Sequence, residues 1–375
     1  MFSAARDYFV QTDKLLLLLC WLASAYGLAL LYTATYSYQT DQYMRIQLIA
    51  IGIGTAGYLL ATALDIRRLA RCWPLLFLLE LLLLGSLYFW GVGDGNRSWI
   101  RFSGIGIQPA ELGKLLFIVS FSGHLTDAGE KGMRLRDMLA LTAHAGSVCL
   151  FVLWFSRDDG MTLEFLFLAL YLAFTAGLRF SFLAASGVLC VGALPMVWTF
   201  FLDKYQKERI LAVFEPQHYP DTAYQAMQTT RAIAMGGLRG RGFLQGSRTQ
   251  YSLIPTKHTD SIIAVAGEEL GFLGCAAVIL LLALIIARCV SAALRTRDAT
   301  SGRIAAGIAG ILVFQTVLNL GMNLGVLPVV GLTLPFFSYG GTSVVTMYAA
   351  MGIVGGMRRT ERREKKKNQA DGGYL

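Results

Sequence analysis

Apolar runs of bilayer length recur from one end of this chain to the other, beginning at Leu15-Leu16-Leu17-Leu18-Leu19 and ending around Ala349, Met351 and Ile353. A helix needs about 20 mostly apolar residues to cross a bilayer, and a spanning segment must satisfy its own backbone hydrogen bonds there. Hydropathy marks about ten such helices, over residues 14–36, 45–65, 72–90, 109–124, 137–156, 161–178, 181–201, 261–288, 303–328 and 339–357. Charged residues make up only 15% of the chain, against roughly 25% in a soluble domain, which excludes a water-soluble core. The expected fold is an all-α polytopic membrane protein, with one transmembrane domain over residues 1–357 and a basic tail at 358–375.

The first apolar run follows a polar stretch, Met1 to Asp13, and is long enough to span and stay, so no cleaved leader is expected. Cys20, Cys72, Cys149, Cys190, Cys275 and Cys289 stand singly in apolar segments, without the spacing of a zinc, haem or redox motif, and read as small packers. The net charge of +9 is no nucleic-acid signal. Its densest block, Arg358-Arg359, Arg362-Arg363 and Lys365-Lys366-Lys367, directly follows the last apolar segment, which is the positive-inside pattern. Loops on that same side carry Arg67, Arg68 and Arg71, then Lys131, Arg134 and Arg136, then Arg179, then Arg295, Arg297 and Arg303. Both termini are therefore expected in the cytoplasm.

Between the seventh and eighth expected helices lies a long segment, residues 203–259, on the opposite, extracytoplasmic side. It exceeds a plain connector and is the first place to look for function. No short-period repeat is visible, and the tail reads as a low-complexity stretch without fixed structure that lies along the membrane.

Polar groups in or at the rim of a membrane are costly and each asks for a reason. The first cluster is Gly95-Asn96-Arg97-Ser98-Trp99-Ile100-Arg101 followed by Gln108-Pro109-Ala110-Glu111-Leu112-Gly113-Lys114. Pro109 suits a first helical turn, and Glu111 and Lys114 share a face. The cluster reads either as an interfacial anchor with a neutralised pair, or as a cationic site for a phosphate-bearing headgroup. The second is Gly236-Gly237-Leu238-Arg239-Gly240-Arg241-Gly242, preceded by Tyr224-Gln225 and Gln228. Glycines let backbone N–H groups approach an anion, but such runs also serve as flexible connectors.

The third cluster is Pro255-Thr256-Lys257-His258-Thr259-Asp260 leading into an apolar helix with Glu268 and Glu269 about two turns deeper. Asp260 is either an N-cap or a general base facing a substrate hydroxyl. With Ala264, Gly267 and Gly271 it heads one smooth helical stripe, against which a helix or a lipid chain could lie. The fourth is Gln315, Asn319 and Asn323, an amide stripe at i, i+4, i+8 that must face the bundle interior and reads chiefly as interhelical glue. Pro328, Pro335 and Phe336-Phe337-Ser338-Tyr339-Gly340-Gly341 follow, an irregular turn shielded from lipid.

Together, Arg97-Ser98-Trp99-Ile100 with Gln108 to Lys114, the glycine and arginine run, His258-Thr259-Asp260 with Glu268-Glu269-Leu270-Gly271-Phe272, and Asn319-Leu320-Gly321-Met322 through Leu334 to Gly341 resemble the RodA/FtsW (SEDS) family in order and spacing. The resemblance spans nearly the whole chain. It implies a ten-helix peptidoglycan glycosyltransferase of the bacterial inner membrane, which polymerises lipid II and works with a class B penicillin-binding protein, a transpeptidase. It places the family's essential aspartate on Asp260, its early Glu and Lys on Glu111 and Lys114, and its Arg-Trp element on Arg97 and Trp99. The expected substrate-binding set around Asp260 is Arg97, Trp99, Arg101, Glu111, Lys114, Gln225, Arg239, Arg241, His258, Ser338 and Tyr339.

Two stretches depart from the family pattern. Ser156-Arg157-Asp158-Asp159-Gly160-Met161 stands for Gln-Pro-Asp-Leu-Gly-Thr, and Pro255-Thr256 for Pro-Glu, with Ser261-Ile262-Ile263 in place of Phe-Ile-Phe. Chain length and the short N-terminal stretch look more like the elongation branch, RodA, than the division branch, FtsW, with a sporulation paralogue open. Expected partners are lipid II, the growing lipid-linked glycan, the transpeptidase and membrane lipids, and no nucleic acid. No cofactor is expected, and a divalent cation is not readable from sequence. The rival functions are a lipid II flippase, which would want Glu268 and Glu269 along a path through the bilayer and internal repeats, and a scaffold for the transpeptidase.

Overall fold

The computed structural model describes residues 12–93, 96–102, 105–130, 133–177, 187, 188, 192 and 195–371, with 102, 105, 197, 201 and 358–371 as backbone only. Most of the expected span 181–201 lies outside the described residues, as do Gly95, Lys131, Arg179, Cys190 and most of the N-terminal polar stretch. The chain runs α1 (Lys14–Tyr36), α2 (Gln42–Ala61), α3 (Ile66–Arg71), α4 (Trp73–Trp90), β1 (Ile100–Phe102), β2 (Ile105–Ile107), α5 (Pro109–Glu130), α6 (Leu135–Phe151) and α7 (Asp159–Thr175). There follow α8 (Lys204–Phe214), α9 (Pro220–Gly236), α10 (Ser247–Gln250), α11 (Ile262–Arg295), α12 (Ala299–Asn323) and α13 (Gly341–Asp371).

Among the described residues six helices are long and apolar enough to cross a membrane: α1, α2, α4, α6 with its extension to Ser156, α11 and α12. The expected segment 109–124 falls on α5, which is too polar to qualify yet is buried along most of its length. Its Glu111 and Lys114 meet protein and not lipid, which is how a membrane bundle carries such a helix. The expected segments 161–178 and 339–357 fall on the shorter α7 and on the apolar first half of α13.

Glycine sets how closely these helices pack. A Cβ at Gly352 of α13 would sit 2.3 Å from the Tyr58 carbonyl oxygen of α2, and one at Gly27 of α1 would sit 2.7 Å from the Phe336 carbonyl oxygen. Neither distance is available to a larger residue.

Three elements differ from the sequence expectation. β1 and β2 form an antiparallel hairpin pairing Ile100 with Ile107 and Phe102 with Ile105, a period-two apolar pattern too short to stand out among helices. The tail, expected without fixed structure, continues as helix to Asp371. Most consequentially, α11 breaks at Gly271 (φ 69°, ψ −160°), a backbone conformation natural to glycine. Residues 272–295 alone extend about 36 Å, enough for the bilayer. Glu268 and Glu269 therefore lie at this elbow, across the break from a segment long enough to span by itself.

Candidate functional site

The long segment that begins with α8 folds over one end of the bundle, where α8 reaches Asp159, α9 the end of α12 and His258-Thr259 the turn at Ser338-Tyr339, while Ser98 and Gln108 dock on Asp158. Asp260 lies at the centre of this meeting, and its placement rests on backbone acceptors. The His258 carbonyl accepts from Tyr339 N (2.9 Å), the Thr259 carbonyl from Ser338 Oγ (2.6 Å), and the Asp260 carbonyl from both Asn319 Nδ2 (2.9 Å) and Asn323 Nδ2 (2.8 Å). The amide stripe is interhelical glue, as its burial requires, and what Asn319 and Asn323 glue is the Asp260 peptide. Gln225 adds a brace from α9, donating to Thr256 Oγ1 (3.0 Å) and Ser261 Oγ (3.3 Å).

The carboxylate of Asp260 does not cap α11. That helix takes Ser261 as its N-cap and receives no capping bond from it, so the N-cap reading of Asp260 is not realised. A Cβ at Gly331 (φ 74°) would come within 3.7 Å of Asp260 Oδ2, in ordinary contact, so the loop after α12 passes directly over the carboxylate. Burial, with the Asp158 carboxylate in support and Arg209 opposing, raises the Asp260 carboxyl to about 6. An acid tuned toward neutrality in a partly open site has the properties of a general base.

Asp158 reaches the site through an unusual turn. α6 widens into a π-helical turn, Val152–Ser156, and ends at Arg157 in the left-handed region (φ 52°, ψ 41°). Asp158 then caps α7 by accepting from Met161 N (3.0 Å), with Ser98 Oγ (3.1 Å) on its other oxygen. Ser98 also bonds Ser156 Oγ at 2.9 Å, and Arg97 N donates to the Ser156 carbonyl at 2.9 Å, which docks the Arg97-Trp99 element onto this turn. Burial pushes the Asp158 carboxyl up as well.

Other expected site residues resolve differently. Glu111 and Lys114 pair as their spacing predicts (3.0 Å), but Lys114 is 0% exposed and takes a second carboxylate, Glu164, at 3.2 Å, with Gln315 Nε2 on Glu164 at 3.4 Å. Enclosed and saturated, Lys114 cannot line a headgroup groove, and that expectation is corrected. Ser338 is buried with its hydroxyl committed to Thr259 and to Leu334 N, so it braces the site and does not face a ligand. Tyr339 packs with Tyr43 and His258 (ring centroids 5.1 and 5.9 Å), and His258 Nδ1 is buried without a hydrogen-bond partner. Arg97 and Arg101 are exposed and Trp99 half-buried in and just before the β1–β2 hairpin.

The glycine and arginine run is not an anion cradle. Its glycines are spacers against α11: a Cβ at Gly236 would lie 1.8 Å from the Gly267 carbonyl oxygen, and one at Gly240 would lie 2.1 Å from that of Glu269. Backbone N–H groups of Arg241 and Gly242 donate to the carbonyl oxygens of Glu268 and Glu269. The two carboxylates in turn accept from Leu244, Gly246, Arg248 and Thr249 N–H groups, so every charge deep in this elbow is spent on holding the loop. The Gly267 stripe packs against Ile233 of α9, not against lipid. Arg239 and Arg241 themselves remain exposed.

Sequence reasoning missed three residues. Glu164 carried a signal, as a lone acid in an apolar helix, the default mark of function or pairing in a membrane. Arg209 carried none, sitting beside Lys207 and Glu208, and Arg231 stood alone between Asp221 and Arg239 with nothing local to tie it to Arg209. They line a cleft of about 300 Å³ between α8, α9 and the loop after α12. Gln206 Nε2 bonds Asp159 Oδ2 at 2.7 Å, which fixes α8 beside the Asp158 turn.

Among known proteins, residues 13–363 match the FtsW, RodA and SpoVE family of cell cycle proteins. A "Probable peptidoglycan glycosyltransferase FtsW" of Geobacter metallireducens is 31% identical over 353 residues, covering 91% of this chain and 93% of the relative. Peptidoglycan glycosyltransferase MrdB of Escherichia coli is 30% identical over 291 residues, covering 75% and 76%. Relatives of the FtsW and of the RodA-like kind thus match equally well, so identity does not separate the branches. A chain from a solved structure described as "Structural coordination of polymerization and crosslinking by a peptidoglycan synthase complex" superposes with a TM-score of 0.80 at 30% identity, covering 94% of this chain and 98% of that one. With the pattern matched along nearly its whole length and the same helical bundle found in a solved relative, this chain belongs to the FtsW, RodA and SpoVE family.

Proposed function

We propose that this protein is a peptidoglycan glycosyltransferase that polymerises lipid II at the outer face of the bacterial cytoplasmic membrane. The carrying observation is Asp260: a carboxylate raised to about 6, committed to no helix cap, with its own peptide held by α12 and the Ser338-Tyr339 turn. In this reading the acceptor hydroxyl oxygen attacks the anomeric carbon of an α-linked sugar as the bond to the lipid pyrophosphate breaks. Asp260 takes the hydroxyl proton, and the configuration inverts to β. The displacement needs no redox or prosthetic group. Glu268 and Glu269 hold a loop and line no transmembrane path, which removes the feature a flippase would use.

The partner belongs to the same proposal. A relative solved in a peptidoglycan synthase complex supports pairing with a class B penicillin-binding protein. Basic residues gather at the end of the bundle away from Asp260, where Arg288 meets Asp13 (2.7 Å) and Arg67 meets Asp298 (3.4 Å), which supports cytoplasmic termini. The test is polymerisation of purified lipid II by the purified chain, alone and with its transpeptidase. Failure to form glycan in both conditions, with the protein folded, refutes the proposal.

A further inference from the structure

The cleft between α8, α9 and the loop after α12 is amphiphilic. Its walls include Val213, Met227, Leu327 and Pro328, and its only cations among the lining residues are Arg209 and Arg231. Neither arginine has a carboxylate within ion-pair range among the described residues. Arg209 bonds Tyr205 Oη (3.0 Å) and lies over that ring (4.5 Å), while Arg231 is exposed. Two uncompensated guanidinium groups beside an apolar wall form an anion site with a hydrophobic extension. The walls are fixed and not loose: Thr229 and Thr230 of α9 both donate to the Asn323 carbonyl at 2.9 and 3.2 Å, pinning α9 to the end of α12. Phe214, 78% exposed, follows Val213 on α8, an aromatic placed as at a membrane interface.

We propose that this cleft binds the pyrophosphate and first isoprene units of the lipid-linked donor, with Arg209 and Arg231 on the pyrophosphate and the apolar wall on the lipid. The assignment rests on the glycosyltransferase reading and deepens it. Arg209 borders the cleft while its charge also reaches Asp260, so one residue joins the leaving-group side to the base. As the anomeric C–O bond breaks, its electron pair goes to the pyrophosphate oxygen and the leaving group gains a negative charge. Two guanidinium groups at the leaving oxygen stabilise that developing charge more than the ground state. The glycine and arginine run, which supplies Arg239 and Arg241 to the expected substrate-binding set, is held by its backbone against α11 instead.

The test is equilibrium binding to the full-length chain in detergent. Undecaprenyl pyrophosphate is titrated against the parent, Arg209→Met, Arg231→Met and the cleft-filling Ala226→Trp, with undecaprenol, inorganic pyrophosphate and phosphatidylglycerol as separate arms. Expected is a loss of about tenfold in affinity for each arginine variant and a larger loss for Ala226→Trp. Undecaprenol and inorganic pyrophosphate should each bind far more weakly than the whole lipid, and phosphatidylglycerol should not compete. Parent-like binding by both arginine variants overturns the assignment, as does equal competition by phosphatidylglycerol, which would mark a general anionic-lipid site. A parent that binds through these arginines yet makes no glycan upholds the cleft and sinks the polymerase reading. Normal polymerisation with binding indifferent to Arg209 and Arg231 does the reverse.

Discussion

Two acidic sites sit near one end of this bundle, and they are built on opposite plans. Around Lys114 the charged atoms are spent on one another: Glu111 and Glu164 flank the ammonium, all three are buried, and nothing remains to offer a ligand. Around Asp260 the backbone is spent and the charge is spared, with three successive carbonyls clamped and the carboxylate left over. A charge in a membrane protein can thus be structural or chemical, and what separates the two is which atoms its neighbours hold.

The comparison breaks most readily at Asp260. Asp260→Asn should lower lipid II polymerisation about 10²- to 10⁴-fold while the melting temperature stays near that of the parent, because no cap is lost. Since the base must be unprotonated and its carboxyl lies at about 6, kcat/KM should rise as pH climbs through that value and fall below it. Near-normal activity in a folded Asp260→Asn protein would put Asp260 in the same structural class as Lys114.

Lys114→Met should act in the other currency. It strands two buried carboxylates, so a stability loss of about 3–5 kcal/mol is expected, read as a lower melting temperature and yield. Glu164→Gln keeps one cation against one anion and should be much milder. A well-folded, inactive Lys114→Met protein would instead move Lys114 into the chemistry.

The double variant Asn319→Ala, Asn323→Ala removes both donors to the Asp260 carbonyl. It should lower kcat about tenfold with little change in KM, because the base is misplaced and the substrate cleft is not. An equal loss in kcat and melting temperature, with kcat recovering on cooling, would mean the amides only hold helices together. The smallest effect belongs to Arg157, whose left-handed backbone favours glycine. Arg157→Gly should be neutral or stabilising by up to about 1 kcal/mol in thermal melts. Arg157→Pro should instead cost both stability and activity, since proline cannot adopt that φ and would forfeit the bond from Arg157 N to the Val152 carbonyl.

Much of this was legible in the chain. Apolar runs gave the helices because lipid imposes a length, and the Gln315, Asn319, Asn323 spacing gave an interior face because an amide stripe cannot face hydrocarbon. Asp260 stood out by position and by family pattern. What sequence could not supply was direction. Nothing in Gly236-Gly237-Leu238-Arg239-Gly240 distinguishes glycines that admit a ligand from glycines that admit a helix, and only the contacts with Gly267 and Glu269 decide it. Lys114 and Glu111 were found as a pair, but Glu164, fifty positions on, turned an exposed-looking cation into an enclosed one. Arg209 and Arg231 gather at one cleft only through the packing of α8 and α9, which no local pattern encodes.

The brace at Asp260 also determines which spectroscopies can observe it. Its grip falls on carbonyl oxygens, so amide proton exchange, which reports on donors, registers it poorly. A ¹³C=¹⁸O label in the Asp260 peptide would register it directly. An acceptor holding two amide protons at 2.8 and 2.9 Å absorbs at lower frequency than one left to solvent. That single band would follow the Asp260 segment through turnover without touching a side chain.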